Sequence, residues 1–473
     1  MSSAPRIRVV SAEAFRRETP FRFPFRFGIA EVHRAPQAFV RIVIEDASGR
    51  QATGWSAEMM VPKWFDKNPD LSPHDNLDQL RTSLDLAMVR ALDTPAGTAF
   101  DLHHGMEADH HAQCAGHGLG GLIASFGLAL VDRAIIDALG RLKGRGAAAL
   151  VTANMLGIDA RTAPDLEGFD LTGFLGSLAV PAEMAIRHTV GLGDALVAED
   201  LGERLNDGLP ETLQDVIAAY GHRHFKLKIA GNPEVDCARL VRIAKGIEQF
   251  CDGYRVTLDG NEQYRDEEQV LELMWRMAAE PALAILNRRI LFLEQPIARA
   301  HALSRPIRKL ASFVPVEIDE SDADMGAFVT ARELGYTGIS SKSCKGFYRS
   351  VLNAARVAKW NAEENAPRYF LSGEDLTTQS GVSVQQDLLL AGLVGVTHVE
   401  RNGHHFVDGM AGASDAEQGA FLSAHSDIYA RRLGRARLDI AQGRLPLGSI
   451  ASAPGLGVAV EPIWTDMKPL GED

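Results

Sequence analysis

The chain has 473 residues, of which 46% are hydrophobic, and its 62 acidic residues against 49 lysines and arginines leave a formal net charge of -13. The length suits about three domains, although a closed α/β barrel runs to about 250 residues as one domain. The negative charge argues against a nucleic-acid or anionic-membrane partner, but a small anionic substrate responds to local charge. Segment 1–20 lacks the apolar run of a signal peptide, and the longest apolar run, 388–396, is too short to cross a bilayer. The four cysteines are scattered without metal-ligand spacing, which predicts a reduced, cytoplasmic protein.

The first part of the chain, 1–180, has the pattern of a separate α+β domain. A β-branched run at 38–44 predicts a strand, and the flanking segments 20–34 and 54–73 are predicted as long loops. Helical periodicity follows at 75–92 and 119–142. Between these helices, His103, Glu107, His110 and His111 stand at helical spacing. A second metal site there is one interpretation, but no spacing singles out a ligand set, and a solvated surface helix is favoured.

From about residue 181 the pattern changes to alternating strands and helices. Eight strands are predicted, at 186–191, 224–230, 254–259, 290–294, 314–319, 337–342, 369–373 and 397–400. The helices predicted between them include 234–249, 266–279, 326–335, 349–361 and 382–393. Such alternation implies a parallel sheet with right-handed crossovers, and eight units close into a (β/α)8-type barrel, predicted over 181–430. The tail, 431–473, contains a strand-like run at 457–460 and is expected to return to the first domain, so that both build one capping domain.

One predicted barrel strand, 224–230, carries two lysines on one face. Lys226 and Lys228 are two residues apart, so both point to the same side of the strand. On the inner face of a barrel, burial and mutual repulsion would lower a lysine pKa from about 10.4 towards the range of a catalytic base. The alternative is an exposed edge strand whose lysines prevent aggregation.

The following strands end in ionisable residues, and this favours the catalytic interpretation. Asp259, Glu294 and Asp319 close three successive strands, and Lys342 closes the next. The C-terminal ends of barrel strands form the active-site face, so the three carboxylates are expected to meet there. Three like charges require a cation, and oxygen ligands favour a hard divalent ion, most simply Mg²⁺. For any single carboxylate, capping of the next helix is the alternative.

With these elements in order, the sequence resembles the enolase superfamily, most closely the branch of muconate lactonising enzymes, dipeptide epimerases and o-succinylbenzoate synthases. The resemblance covers most of the chain and rests on Lys-x-Lys at 226–228, Leu-Asp-Gly-Asn at 258–261, Leu-Glu-Gln-Pro at 293–296 and Asp-Glu-Ser at 319–321. Together these motifs are specific, although each alone is weak. The first domain is similar to the family's capping domain, whose two loops would be about 19–34 and 54–73.

The resemblance implies abstraction of the proton α to a substrate carboxylate. Asp259, Glu294 and Asp319 would hold Mg²⁺, which would stabilise the enediolate. Lys228 would be the base on one face, with Lys226 beside it, and Lys342 would stand on the opposite face. Racemisation or epimerisation, cycloisomerisation and dehydration all fit this chemistry. The expected partner is a small carboxylate, and a homo-oligomer stays open.

Some positions depart from the family pattern. The family's sixth strand commonly ends in a lysine followed by Gly-Gly. The sequence here is Lys342-Ser343-Cys344-Lys345-Gly346. Lys345 is therefore an alternative to Lys342 as the lysine of the opposite face. Lys342 is preferred because it ends the apolar strand. Further substrate-binding candidates are Asn261, Glu374 in Gly373-Glu374-Asp375, and His404 in the loop after the eighth strand. For the last two, helix capping and a surface histidine are the alternatives.

A non-catalytic binding protein and a metal-dependent hydrolase are the two alternative functional classes. A barrel retained as a binding protein without turnover would keep the fold but lose Mg²⁺ binding. A metal-dependent hydrolase would call for histidines at the strand ends, and the strand ends here carry none.

Overall fold

The structure is a computed structural model that describes residues 4–27 and 30–472. Its N-terminal part is an antiparallel sheet covered by helices. The strands and helices of this part are β1 (Ile7–Phe27), β2 (Ala30–Asp46), β3 (Gln51–Met59), α1 (Pro73–Asp93), α2 (Ala99–Gly116), α3 (Gly121–Lys143), α4 (Ala147–Thr152) and α5 (Leu171–Ser177). The prediction that 20–34 and 54–73 are loops is wrong in part. Arg34 pairs with Pro20 in a long hairpin, and β3 continues to Met59.

Eight parallel strands then close into a barrel, as predicted, because β11 pairs with β4. These strands are β4 (Glu183–Val190), β5 (His224–Lys228), β6 (Arg255–Asp259), β7 (Ile290–Glu294), β8 (Val316–Ile318), β9 (Gly338–Ser341), β10 (Phe370–Gly373) and β11 (His398–Arg401). The helices along them are α6 (Leu213–Tyr220), α7 (Pro233–Glu248), α8 (Glu267–Ala279), α9 (Ala284–Asn287), α10 (Arg299–Ala302), α11 (Ala327–Leu334), α12 (Phe347–Glu364), α13 (Val382–Leu393), α14 (Gly403–Phe406) and α15 (Asp415–Ala424). Every predicted strand of the barrel is present.

The tail returns to the first domain. It forms β12 (Tyr429–Arg432), β13 (Arg435–Leu438), β14 (Arg444–Pro446), α16 (Gly448–Ser452) and β15 (Lys468–Pro469). β15 adds to the edge of the cap sheet beside β1, whereas β14 pairs with β4 at the barrel. The strand predicted at 457–460 is absent; that segment lies without regular structure against α3, where Arg141 Nη2 donates to Val458 O at 2.5 Å.

Helix α3 joins the cap to the barrel. It is apolar and buried along most of its length, so it has to be covered on both sides. Gly54 of β3 lies so close to it that a Cβ there would overlap backbone atoms of Ala134 and Ala138. Towards the barrel, Ser125 Oγ accepts a hydrogen bond from Arg349 at 2.9 Å. These contacts fix the cap over the C-terminal ends of the barrel strands. No helix in the described part of the chain is both long and apolar enough to cross a membrane.

Candidate active site at the barrel mouth

Lys226 stands at the centre of a carboxylate cluster inside the barrel. Its Nζ lies 2.9 Å from Asp259 Oδ2, 2.7 Å from Glu294 Oε2, 2.7 Å from Glu374 Oε2 and 3.0 Å from Glu400 Oε2. Burial opposes the charge on this ammonium group, but the carboxylates outweigh it and raise the pKa of Lys226 well above its ordinary value. The prediction that paired lysines lower each other's pKa is therefore wrong for Lys226, because carboxylates and not a second lysine are its nearest neighbours.

Lys228 and Lys342 lie on opposite sides of the mouth. β5 and β9 are four strands apart in a ring of eight, so their ends face each other across the barrel. Lys228 Nζ lies 2.5 Å from Asp259 Oδ2, and Lys342 Nζ lies 2.5 Å from Asp319 Oδ2. Both lysines are buried. Each predicted acid/base lysine is thus paired with one of the predicted metal ligands.

The three predicted ligands occupy three successive strand ends, but ammonium groups bridge them. Asp259 and Glu294 share Lys226, while Asp319 is bound by Lys342 and, at 3.0 Å, by Lys345. Among the described residues, a closer carboxylate group is formed by Glu294, Glu317 and Glu374, whose oxygens lie within 4.8 Å of one another deeper in the barrel. Glu294 therefore belongs to both the predicted set and this deeper group.

The predicted ligands differ in how completely their oxygens are partnered. Burial, with Asp259 and Glu374 adding repulsion, raises the pKa of Glu294 well above its ordinary value. Its Oε2, although near Lys226, makes no well-aligned hydrogen bond. At Asp319, burial is outweighed by Lys342 and Lys345, which hold the pKa of that carboxyl well below its usual range. Buried carboxylate oxygens with an incomplete set of partners are the donors that a hard cation prefers.

A small cavity of about 20 Å³ lies between these side chains and the cap. Its walls include Lys226, Lys228, Asn261, Asp319, Lys342 and Glu400 from the barrel, and Val61 and Trp64 from the segment after β3. A space of this size holds about one water molecule. A larger molecule would therefore fit only if the cap segment moved away from the mouth.

The cap segment is held down by a cluster of charges. Arg299 donates to Trp64 O and Phe65 O, at 2.9 Å each, and pairs with Glu262 at 2.8 Å. Lys67 also pairs with Glu262 and donates to Asn261 O at 3.1 Å. These contacts join the predicted cap loop to the loop after β6.

Of three further predicted site residues, one lines the cavity and two lie outside it. Asn261 lines the cavity, and its backbone N–H donates to Asp259 Oδ1 at 2.8 Å. Glu374 lies below the mouth and contacts Lys226 and Arg187. Lys345 does not line the cavity, since it donates to Ser340 Oγ at 2.7 Å and pairs with Asp319.

His404 is the predicted substrate-binding residue that the structure places elsewhere. Its ring lies outside the barrel wall, next to His188 and His222. His188 points away from the barrel interior because its strand neighbours Arg187 and Thr189 point inward, to Glu374 and Glu400. His404 therefore has no contact with the cavity at the mouth.

The histidine-rich segment forms α2, and its prediction as a solvated surface helix is wrong for two residues. His103 and His110 face inward and are buried. His103 Nδ1 is 2.7 Å from Asp132 Oδ2, and His110 Nε2 is 2.8 Å from Ala124 O. Among the described residues, these histidines belong to no group with metal-ligand spacing.

Sequence reasoning missed three charged residues of the barrel interior: Arg187, Glu317 and Glu400. Glu317 and Glu400 lie within strands, and Arg187 contacts Glu374. Each is a charge at an inward position of a barrel strand, where apolar side chains are expected. That interruption of the strand pattern is the signal that could have revealed them.

The fold resembles that of many solved structures. Muconate lactonizing enzyme from Pseudomonas fluorescens, complexed with muconolactone, is 20% identical, with 97% of each chain covered and a TM-score of 0.61. An enolase from Bradyrhizobium, complexed with magnesium and mandelic acid, is 17% identical, with 98% of each chain covered and a TM-score of 0.59. Dipeptide epimerase from Enterococcus faecalis, complexed with Mg and L-Leu-L-Tyr, is 14% identical, with 95% of this chain and 99% of that chain covered and a TM-score of 0.59.

Comparisons with protein-family models and with curated protein sequences gave no match. At these identities the structural likeness concerns the fold, and it extends over nearly the whole length of both chains. The resemblance inferred from the motifs is thus confirmed at the level of architecture: the chain has the cap-and-barrel fold of the mandelate racemase and muconate lactonizing enzyme structures of the enolase superfamily.

Proposed function

We propose that this chain is an enolase-superfamily enzyme that removes the proton α to a substrate carboxylate, with Mg²⁺ as cofactor. The observation that carries the proposal is the placement of Lys228 and Lys342 on opposite sides of one small cavity, each 2.5 Å from a carboxylate of a predicted metal ligand. Opposed lysines suit proton removal from one face and proton delivery or charge stabilisation on the other.

Asp259, Glu294 and Asp319 are the residues that we expect to hold the cation. A divalent cation bound there would act as a Lewis acid on the substrate carboxylate. Lys226 would remain beside Asp259 and Glu294 as a fixed positive charge, which favours a substrate anion over a neutral compound. The proposed substrate is therefore a small carboxylic acid, and the proposed product is an isomer or an elimination product.

Lys228 can accept a proton only when its Nζ is neutral. Its Nζ lies 2.5 Å from Asp259 Oδ2, and Asp259 is also a proposed ligand of the cation. We infer that Asp259 must bind another cation, such as Mg²⁺, in place of the Lys228 ammonium group before Lys228 can act as a base. This requirement links proton abstraction to cation binding, and it predicts that α-proton exchange depends on added Mg²⁺.

Proton exchange in D₂O tests the proposal. The protein is incubated with Mg²⁺ and a library of carboxylic acids, and α-deuterium uptake is followed by mass spectrometry. We expect uptake with the wild type and a loss of at least about 100-fold in Lys228→Ala. Lys309→Ala, which changes an exposed lysine outside the cavity, is the control and should exchange normally.

The opposite face is tested in the same way. Lys342→Ala should form no product while retaining exchange on the Lys228 face, whereas Lys345→Ala should keep both activities at a reduced level. If Lys345→Ala formed no product while Lys342→Ala kept both activities, Lys345 would be the lysine of the opposite face. This comparison decides whether Lys342 or Lys345 acts on the opposite face, a question that the sequence left open.

A barrel that binds a carboxylate without turnover is the second candidate. It is favoured by the ammonium group of Lys226, which already neutralises part of the charge of Asp259 and Glu294 without a metal ion. Titration calorimetry with Mg²⁺ distinguishes the two candidates. Failure to bind Mg²⁺, together with no deuterium uptake, would contradict the proposed enzyme.

A further inference from the structure

Three histidines converge outside the barrel wall, away from the cavity at the mouth. His188 lies on the outer face of β4, His222 precedes β5, and His404 is the second residue of α14. His404 Nε2 lies 3.3 Å from His188 Nδ1 and 3.3 Å from His222 Nε2. One ring nitrogen from each of the three histidines lies within 4.8 Å of the other two. None of the three lines the cavity at the mouth.

Hydrogen bonding among the three rings leaves nitrogen lone pairs facing the same point. His222 Nδ1 lies 3.2 Å from Ile186 O, and a carbonyl only accepts, so Nδ1 carries the hydrogen. In the neutral ring, which burial favours, His222 Nε2 therefore presents a lone pair to His404. If His404 Nε2 donates its single hydrogen to His188, then His188 Nδ1 also presents a lone pair; if His404 Nε2 carries no hydrogen, its own lone pair faces that of His222. At least two lone pairs thus point inward in either tautomer.

The spacing of these nitrogens matches that of metal ligands. A tetrahedral zinc ion with Zn–N bonds of about 2.0–2.1 Å separates neighbouring nitrogens by about 3.3–3.4 Å. The two measured separations are 3.3 Å. The hydrogen bond from His222 to a backbone carbonyl is the kind of contact that fixes the tautomer and orientation of a ligating imidazole.

The cluster also has access to solvent. His404 lines an open pocket of about 310 Å³, together with Tyr220, whose ring packs edge-on against it at 5.2 Å. Arg432 and Arg437 line the same pocket. A metal ion could enter by this route and keep a fourth position for water or a small anion.

We propose that His188, His222 and His404 bind a transition-metal ion of the Zn²⁺ class, at a site separate from the carboxylates of the barrel mouth. Three neutral imidazoles select zinc, cobalt, nickel or copper over Mg²⁺, which prefers oxygen ligands. The site therefore does not compete with the proposed Mg²⁺ site for its ion.

The surrounding contacts assign this metal a structural role. The segment that carries His404 is joined to the cap hairpin, because Phe21 of β1 pairs with Val407, and Arg22 donates to His405 O at 2.7 Å. Phe23 stacks on His405 with ring centroids 5.1 Å apart. An ion that links His404 to the barrel strands would hold the hairpin against the barrel.

Metal content and cobalt spectroscopy test this site on the full-length protein. The protein is treated with a chelator, dialysed, and loaded with Zn²⁺ or Co²⁺ in excess Mg²⁺, which keeps the barrel carboxylates occupied. We expect one equivalent of Zn²⁺ per chain, the visible absorption of four-coordinate Co²⁺, and a rise in Tm on loading. His222→Gln and His404→Ala should each lose the bound equivalent and the cobalt spectrum.

Two controls make the outcome decisive. His224→Ala changes a nearby histidine whose ring stacks on His398 and lies outside the cluster, so it should retain the metal. Glu294→Gln removes a barrel ligand and should also retain it, which separates this proposal from the proposed Mg²⁺ function. His404→Ala tests the site even if His222→Gln fails to fold, because its side chain reaches the open pocket. Equal Zn²⁺ content in wild type and His404→Ala, or no bound Zn²⁺ in the wild type, would overturn the proposal.

Discussion

Lys342 Nζ lies 4.3 Å from the ring centroid of Trp64, so a barrel lysine is covered by an aromatic side chain of the cap. The same ammonium group is paired with Asp319. Burial opposes the charge on Lys342, but Asp319 outweighs it and raises the pKa of this lysine. Closure of the cap segment and the charge state of the predicted opposite-face lysine are therefore physically connected.

Truncation of Trp64 should expose Lys342. In Trp64→Ala we expect Lys342 to react with an amine-acylating reagent about 10-fold faster than in the wild type, since a buried cation–π contact contributes about 1–2 kcal/mol. Peptide mass spectrometry measures the rate at this lysine. Trp64→Phe keeps an aromatic face and should stay close to the wild type, and an unchanged rate in Trp64→Ala would show that Trp64 does not shield the lysine.

Loss of Arg299 should release the cap segment over the mouth. This side chain holds the carbonyls of Trp64 and Phe65 and pairs with Glu262. In Arg299→Ala we expect faster amide hydrogen exchange across 60–70, while exchange in the barrel strands stays unchanged. Arg276→Ala is the matched control because it removes an exposed pair with Glu272 on α8. Equal protection of 60–70 in both variants would refute the assigned role.

Arg187 should be a large contributor to barrel stability. It is fully buried and contacts Glu374. Burial opposes its charge, but the surrounding glutamates, Glu374 first among them, outweigh burial and raise the pKa of Arg187. Arg187→Met leaves buried carboxylates without their partner and should cost about 3–5 kcal/mol in the free energy of unfolding.

Urea denaturation followed by circular dichroism measures this cost. Arg368→Met, which removes an exposed pair with Glu364, is the control and should stay within about 1 kcal/mol of the wild type. A similar change in both variants would mean that the buried arginine contributes no more than a surface pair.

Glu58 should make the stability of the protein fall as pH rises. Burial raises the pKa of Glu58 to about 7 from 4.5, although Arg133 opposes this shift at 3.1 Å. A raised folded-state pKa means that the folded chain binds more protons than the unfolded chain between these values. The contribution of Glu58 is thus fully present below pH 4.5 and is lost as the pH rises through about 7.

Comparison with Glu58→Gln isolates this effect. The difference in the free energy of unfolding between wild type and variant should shift by about 3 kcal/mol in favour of the variant from pH 5 to pH 8. Denaturation series at several pH values measure it. Parallel pH profiles for the two proteins would contradict the shifted pKa.

The barrel and its strand-end residues were predictable because both depend on local patterns. Alternation of apolar runs with helical segments marks a parallel barrel, and position at a strand's C-terminal end decides which side chains reach the mouth. Lys226, Lys228, Asp259 and Asn261 could therefore be assigned to one region from the sequence alone. The period of two along β5 also predicted that its two lysines share a face.

The errors arise where the outcome depends on partners distant in the chain. Segment 20–34 is rich in phenylalanine and arginine and is therefore predicted to be a loop, yet pairing across the hairpin keeps most of it extended. The charge state of Lys226 is decided by four carboxylates: Asp259 and Glu294 contribute most, and Glu374 and Glu400 arrive from strands more than a hundred residues later.

By itself, the sequence determined the order of strands and helices and the residue types at the barrel mouth, since periodicity and strand-end position act over a few residues. Only the tertiary structure decided which charges pair, how closely Trp64 covers Lys342, and that His188, His222 and His404 meet outside the barrel. Electrostatic interactions and metal coordination depend on distances of a few ångströms between side chains. Those distances are set when the whole ring of strands closes and the cap packs against it.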